Sequence, residues 1–163
     1  MHERAERLRI QSEDLIEQDS LAYLDYVEAV RSGQGVAGAL ARTIQVPLEI
    51  ARAAAEVAAL AEQSASLGNP KLRADAVVAA MLASAAAEAA AYLVGVNVKV
   101  AASGGRVKEA ASGGRVGETA DVRVDEARGL AAEASGRLRP PSARGSSGGP
   151  GRGRGRSSDS RRR

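Results

Sequence analysis

Apolar residues recur at helical spacing along the first two-thirds of the chain. Over residues 3 to 31, Leu8, Leu15, Ile16, Ala22, Tyr23, Tyr26, Val27 and Val30 stand mostly three, four or seven positions apart, which predicts one stripe on a long amphipathic helix. Ser32, Gly33 and Gly35 end it. A second helix is predicted over residues 36 to 67, with Val36, Leu40, Ile44, Leu48, Ala51, Ala55 and Ala58 in register. Pro47 falls inside that helix. Proline brings no amide hydrogen and crowds the carbonyl four residues earlier, so a kink or restart is expected near Gln45 and Val46, without the element splitting.

Leu67-Gly68-Asn69-Pro70 reads as a stop followed by a start: Gly68 suits the left-handed position after a helix, Asn69 a cap, and Pro70 a first helical residue. The third helix is apolar almost all round from Ala76 to Val94, interrupted by Ser84 and Glu88. Its length, roughly 20 residues, would suit a membrane span. Glu88 near the middle and the dominance of Ala over Leu favour a buried central helix of a bundle instead. A weaker fourth helix is predicted from Ala120 to Leu138, with Val122, Leu130, Ala134 and Leu138 on one side and Gly129 costing about 1 kcal/mol relative to Ala.

Between the third and fourth helices lies a tandem copy: AASGGRVKE at residues 101 to 109 is followed at once by AASGGRVGE at residues 110 to 118. Its paired glycines predict a flexible connection over residues 101 to 118. The repeat carries neither spacing of a phosphate-binding glycine loop, and no strand precedes it. No β alternation persists anywhere, so the fold class expected is all-α: an antiparallel Ala-rich helical bundle over residues 1 to 138, followed by a disordered tail over residues 139 to 163. Alanine buries little area per side chain, which makes dimerisation a way to complete such a core.

Composition narrows the chemistry. The 163 residues contain no Cys, and the only His is His2, so thiolate chemistry is excluded and a metal centre built on imidazole is not expected. The net charge of +3 is unevenly spread: residues 137 to 163 carry +8, with nine Arg and one acid, and residues 1 to 136 carry −5. The tail is rich in Arg, Gly, Ser and Pro and lacks an apolar period, so it is expected to be disordered. It could neutralise nucleic-acid phosphates, although it holds no aromatic residue to stack on bases. The start MHERAERLRI is charged and has no apolar segment of a cleavable signal, so a cytoplasmic location and no membrane association are expected.

Candidate chemistry lies where polar residues break the stripes. Asp19 stands three and four residues from Leu15, Ile16, Ala22 and Tyr23, placing a carboxylate on the apolar side of the first helix beside the phenols Tyr23 and Tyr26. Burial raises a carboxyl pKa, which makes an acid or base without a metal; pairing with an Arg of a neighbouring helix is the structural alternative. A second cluster, Asn69, Lys71, Arg73 and Asp75, surrounds the entry to the third helix. There the free amides and two cations would favour an anionic ligand; a solvated first turn is the other reading.

Asp19-Ser20-Leu21-Ala22-Tyr23 with Tyr26, Glu28, Ala29 and Arg31, then Val46-Pro47-Leu48, then Gly68-Asn69 and Asp75, and finally Tyr92 with Val96-Asn97-Val98 form an ordered set over roughly residues 5 to 100. This set resembles the C-terminal domain of formiminotransferase-cyclodeaminase and its free-standing relatives, the methenyltetrahydrofolate cyclohydrolases. The resemblance implies an all-helical homodimer that takes a tetrahydrofolate derivative as substrate and needs no metal. It would release ammonia from 5-formimidoyltetrahydrofolate to form the 5,10-methenyl compound, or hydrolyse that compound to 10-formyltetrahydrofolate. By this resemblance Asp19 and Asp75 are the catalytic candidates, Tyr23 and Tyr26 wall the pocket, Asn69 orients polar ring atoms with Asp75, and Lys71 and Arg73 attract the glutamate tail. Relatives begin with a further helix and a Pro-Thr-Pro-Gly-Gly-Gly-Ser-like turn, and carry a small hydroxyl residue where Ala74 stands. An N-terminally shortened copy is therefore expected, and a non-catalytic bundle or interaction module is the alternative.

Overall fold

The computed structural model describes residues 1–105 and 116–137. Four helices account for nearly all of them: α1 (His2–Ser32), α2 (Val36–Leu67), α3 (Arg73–Gly105) and α4 (Val116–Gly136), with one 3-10 turn, Pro70–Leu72, leading into α3. Among the described residues there is no strand. The expected tail at 139–163 lies outside them, as does most of the duplicated connection. Where that connection is described the expectation needs correction, because α3 continues through Ala101 and Ala102 to Gly105, and α4 already begins at Val116. Ending a helix on glycine carries little penalty, since the last residues have few bonds left to lose.

The turns show two uses of glycine. Gly33 and Gly35, with φ of 71° and 67°, take left-handed backbone between α1 and α2. Gly68, expected in the same conformation, is extended instead, with φ −83° and ψ −169°. Its N–H donates to the Ser64 carbonyl at 2.9 Å, and a Cβ built on it would stand 2.3 Å from that oxygen. Close approach, rather than handedness, demands glycine there. Asn69 caps as expected, its Oδ1 accepting the Lys71 N–H at 3.0 Å, with Pro70 first in the turn.

α2 and α3 pack along their length as the central pair. Ile44, Leu48, Ala55 and Ala58 of α2 meet Ala83, Ala87, Val94 and Val98 of α3, and Ala127, Ala131 and Ala134 of α4 close one side. Small side chains let the backbones approach, so cohesion comes from many short contacts rather than large buried areas. The buried residues of α4 are these alanines; Val122, expected in its stripe, is exposed, and Leu138 lies outside the described residues. α1 packs chiefly on α2, and its buried row is correspondingly narrow: Leu8, Leu15, Ala22 and Ala29, each seven residues from the last. A strict seven-residue row is the seam of a helix that meets one neighbour. Ile16, Tyr23, Val27 and Val30, expected in that stripe, are exposed.

α2 runs unbroken past Pro47. Without an amide hydrogen at residue 47, the Thr43 carbonyl has no partner in the helical ladder. Asn97 of α3 supplies one, its Nδ2 donating to that oxygen at 2.6 Å. Both Thr43 and Pro47 are buried, so solvent could not do the same. On the α4 side, the buried Ser84 hydroxyl lies 2.9 Å from the carbonyls of both Ala80 and Ala134, tying α3 to α4. Ion pairs align the helices at the surface: Arg4–Glu56 and Arg42–Asp25 join α1 to α2, while Arg52–Glu126 and Arg137–Glu62 join α2 to the chain at and just beyond α4. Exposed pairs contribute at most about 1 kcal/mol each, so they set register more than stability.

The expectation of a fully buried α3 is corrected as well. One side packs on α2 and α4, but Val78, Met81, Leu82, Tyr92, Leu93 and Val96 are exposed on the other. The physical reason is the seat of α1, which rests on α2 and leaves the far face of α3 uncovered. By length and composition alone, Pro70–Ser103 is long and apolar enough to cross a membrane.

Candidate functional site

Because α1 and α3 both lean on α2 without closing on each other, an open groove of about 440 Å³ runs between them. Leu15 and Ile16 form one wall, Leu82 and Ala86 the other, and Ile50 and Val57 lie in the floor. Ser12 is the one polar side chain in the lining, and its hydroxyl is already committed to the Leu8 carbonyl at 2.7 Å. The groove therefore favours an apolar or aromatic occupant.

Asp19 lies one helical turn beyond Leu15 and Ile16, past the end of the lining. It shares a seven-residue row with Ser12 and Tyr26, and all three are half-buried. The expectation of an enclosed carboxylate changes accordingly. The buried row of α1 is Leu8, Leu15, Ala22 and Ala29, and Asp19 stands beside it, at the rim of an apolar groove rather than sealed within one. Tyr23 is 63% exposed, so within one chain it does not cover the carboxylate. Asp19 has no hydrogen-bond or ion-pair partner among the described residues; the nearby cations of α1 and α2 are committed elsewhere, Arg42 to Asp25 at 2.9 Å. The outer face of α1 carries its own ion cluster, where the hydrogen bond from Arg9 holds the Glu6 carboxyl below its ordinary range.

The second set of candidates lies at one end of the bundle, at the entry to α3. Asn69, Lys71, Arg73 and Asp75 are all exposed, and the side-chain oxygen of Asn69 is occupied in its cap. The Asp25–Arg42 pair and the Thr43–Asn97 bond put Asp25, Thr43 and Asn97 at one level. At a rise of 1.5 Å per residue, Asp19 is then roughly 25 Å along the bundle from Asp75. A single chain thus brings Asp19, Tyr23 and Tyr26 together on one helix, and Asn69, Lys71, Arg73 and Asp75 together at another helix entry, but does not join the two sets. Among the described residues, no group of three or more His, Asp or Glu is placed to hold a metal ion.

Asn97 is a polar residue whose structural task, satisfying the Thr43 carbonyl, the sequence pattern left unstated. The signal that could have found it is Pro47: a proline inside a buried helix frees a carbonyl that some neighbour must satisfy.

A family model described as formiminotransferase-cyclodeaminase matches residues 1–112. No curated protein matches the chain.

Proposed function

Since the chain belongs to the formiminotransferase-cyclodeaminase family, a family of folate one-carbon metabolism, we propose that it acts on a one-carbon tetrahydrofolate at the α1–α3 groove. The observation that carries this reading is the half-buried Asp19 one turn beyond an apolar, aromatic-sized groove. In the cyclodeaminase direction, the substrate's second nitrogen adds to the formimidoyl carbon as the carbon–nitrogen bond to ammonia breaks. In the cyclohydrolase direction, water adds to the methenyl carbon and one ring carbon–nitrogen bond opens. Both need a proton removed from the attacking atom and one delivered to the departing nitrogen, and a carboxylate at the mouth of an apolar groove can do both in turn. Tyr26, in the same row, would border the bound ring, with Tyr23 at the opening. Lys71 and Arg73 suit the anionic tail by charge.

The test is loss of the methenyl-tetrahydrofolate absorption, or release of ammonia from the formimidoyl compound, on adding the full chain. Asp19→Asn should lower the rate by about 10²–10⁴-fold with the fold intact by circular dichroism. Unchanged turnover in that variant would remove Asp19 from the chemistry. A non-catalytic bundle is the second reading, favoured by the separation of Asp19 from the cationic helix entry within one chain; absence of either reaction at any protein concentration would establish it.

A further inference from the structure

The side of α1 turned away from α2 carries an unbalanced charge. Ile10, Asp14, Glu17, Leu21, Leu24 and Glu28 follow one another at alternating steps of four and three, opposite the buried Leu8, Leu15, Ala22 and Ala29; Glu13 stands beside them, and all seven are exposed. From residue 10 to residue 30 the helix holds six acids and no cation. Arg9 pairs with Glu13 from one end and Arg31 with Glu28 from the other, whereas Asp14 and Glu17 have no ion-pair partner among the described residues. The acids of α2 and α4 differ, since Glu56, Glu62, Glu126 and Glu133 each face an Arg at 3.1 Å or less.

We propose that the Arg-rich segment 138–163 of the same chain docks on this face of α1. The segment carries eight Arg against the single acid Asp159, so its charge is the complement of the face it would cover. Guanidinium groups fork carboxylates in pairs, and their aliphatic stems can lie over the exposed Leu21 and Leu24. The point of attachment also fits. Arg137 reaches Glu62 at 2.8 Å, and two residues further along α2 the Ser64 hydroxyl donates to Met1 Sδ at 3.3 Å, so the segment starts at the level of the first turn of α1. At 1.5 Å per residue, Asp14 and Glu17 lie roughly 20–25 Å along the bundle from there. A Gly-rich chain of 26 residues has an end-to-end distance of roughly 25–30 Å, which holds the arginines around this face at an effective concentration of about millimolar. Exposed ion pairs are individually weak, and the tether lets several act together without a bimolecular encounter. Docking is therefore reversible and sensitive to salt.

The absence of Cys from the chain makes the test direct. Gln18→Cys and Ser158→Cys in the full chain accept a donor and an acceptor dye, and energy transfer between them reports docking. Transfer should not depend on protein concentration, and it should fall by about half between about 0.02 M and about 0.5 M NaCl, where the screening length shortens about fivefold. An undocked segment that only repels itself contracts in salt, so its transfer would rise instead. Glu13→Gln, Asp14→Asn and Glu17→Gln together should bring the low-salt transfer down to its high-salt level, with circular dichroism unchanged. Arg152→Gln, Arg154→Gln and Arg156→Gln together should do the same from the other side without touching the bundle. Asp121→Asn with Asp125→Asn, which removes two exposed acids of α4, should leave transfer unchanged. Transfer that rises or stays flat with salt, either triple variant matching the unsubstituted chain, or an α4 pair that lowers transfer as much as the α1 triple would overturn the proposal. So would transfer between singly labelled chains at the same efficiency, which would make a second copy the occupant of this face.

Discussion

Replacing Asn97 by Ala tests the reading of the α2–α3 core most directly. Pro47 cannot donate to the Thr43 carbonyl, and the Asn97 amide does so across the helix pair at 2.6 Å. With the amide gone, a buried acceptor has no partner, a loss of about 1–3 kcal/mol. If that is the cause, the cost should depend on Pro47. In a Pro47→Ala background, residue 47 regains an amide hydrogen that reaches the Thr43 carbonyl along α2, so removing Asn97 should cost no more than its own packing contacts. The double-mutant cycle should therefore show a coupling of about 1–2 kcal/mol. Urea unfolding followed by far-ultraviolet circular dichroism measures each corner. Equal costs of Asn97→Ala in the two backgrounds would refute the argument, whatever their size. Asn97→Asp adds a pH test. A carboxylate cannot donate, whereas its protonated form can, so folding favours the protonated form and raises the folded-state pKa. The variant should then recover stability as pH falls and lose it as pH rises through that folded-state value.

Gly68→Ala should destabilise by about 1–3 kcal/mol, because its Cβ would meet the Ser64 carbonyl at 2.3 Å; Gly33→Ala, with open space but φ of 71°, should lose only about 1–2 kcal/mol. Thermal unfolding of the two variants checks the order, and equal effects would discount the close approach at Gly68. If the Arg-rich tail contacts nucleic acid, RNA binding by the full chain should fall steeply with salt and vanish when residues 140 to 163 are removed, as a filter-binding titration would show. Binding that survives the truncation would place the contact on the bundle.

The helices themselves were legible because their signals are local. The α2 bounds follow from Gly35 and Gly68, the register of Ile44, Leu48, Ala55 and Ala58 from a 3.6-residue period, and the cap at Asn69 from a single side-chain oxygen. The narrowing of the α1 stripe to Leu8, Leu15, Ala22 and Ala29 was not, since it depends on α1 resting chiefly on one helix, α2. The same holds for the exposed half of α3. Periodicity cannot indicate a covered side on a helix that is apolar all round, and only the seat of α1 on α2 decides it.

The candidate site divides along the same line. The order of residues alone put Asp19 in a seven-residue row with Tyr26 and put Lys71 and Arg73 at a helix entry, because both are relations within a few turns of one element. How deep Asp19 lies, which groove it borders, and its distance of roughly 25 Å from Asp75 depend on where three helices come to rest on one another. So does the task of Asn97, whose partner is 54 positions away in the chain. Spacing along a helix determines which side chains share a face; what that face meets is set by packing between elements, and these long-range contacts exist only once the bundle has closed.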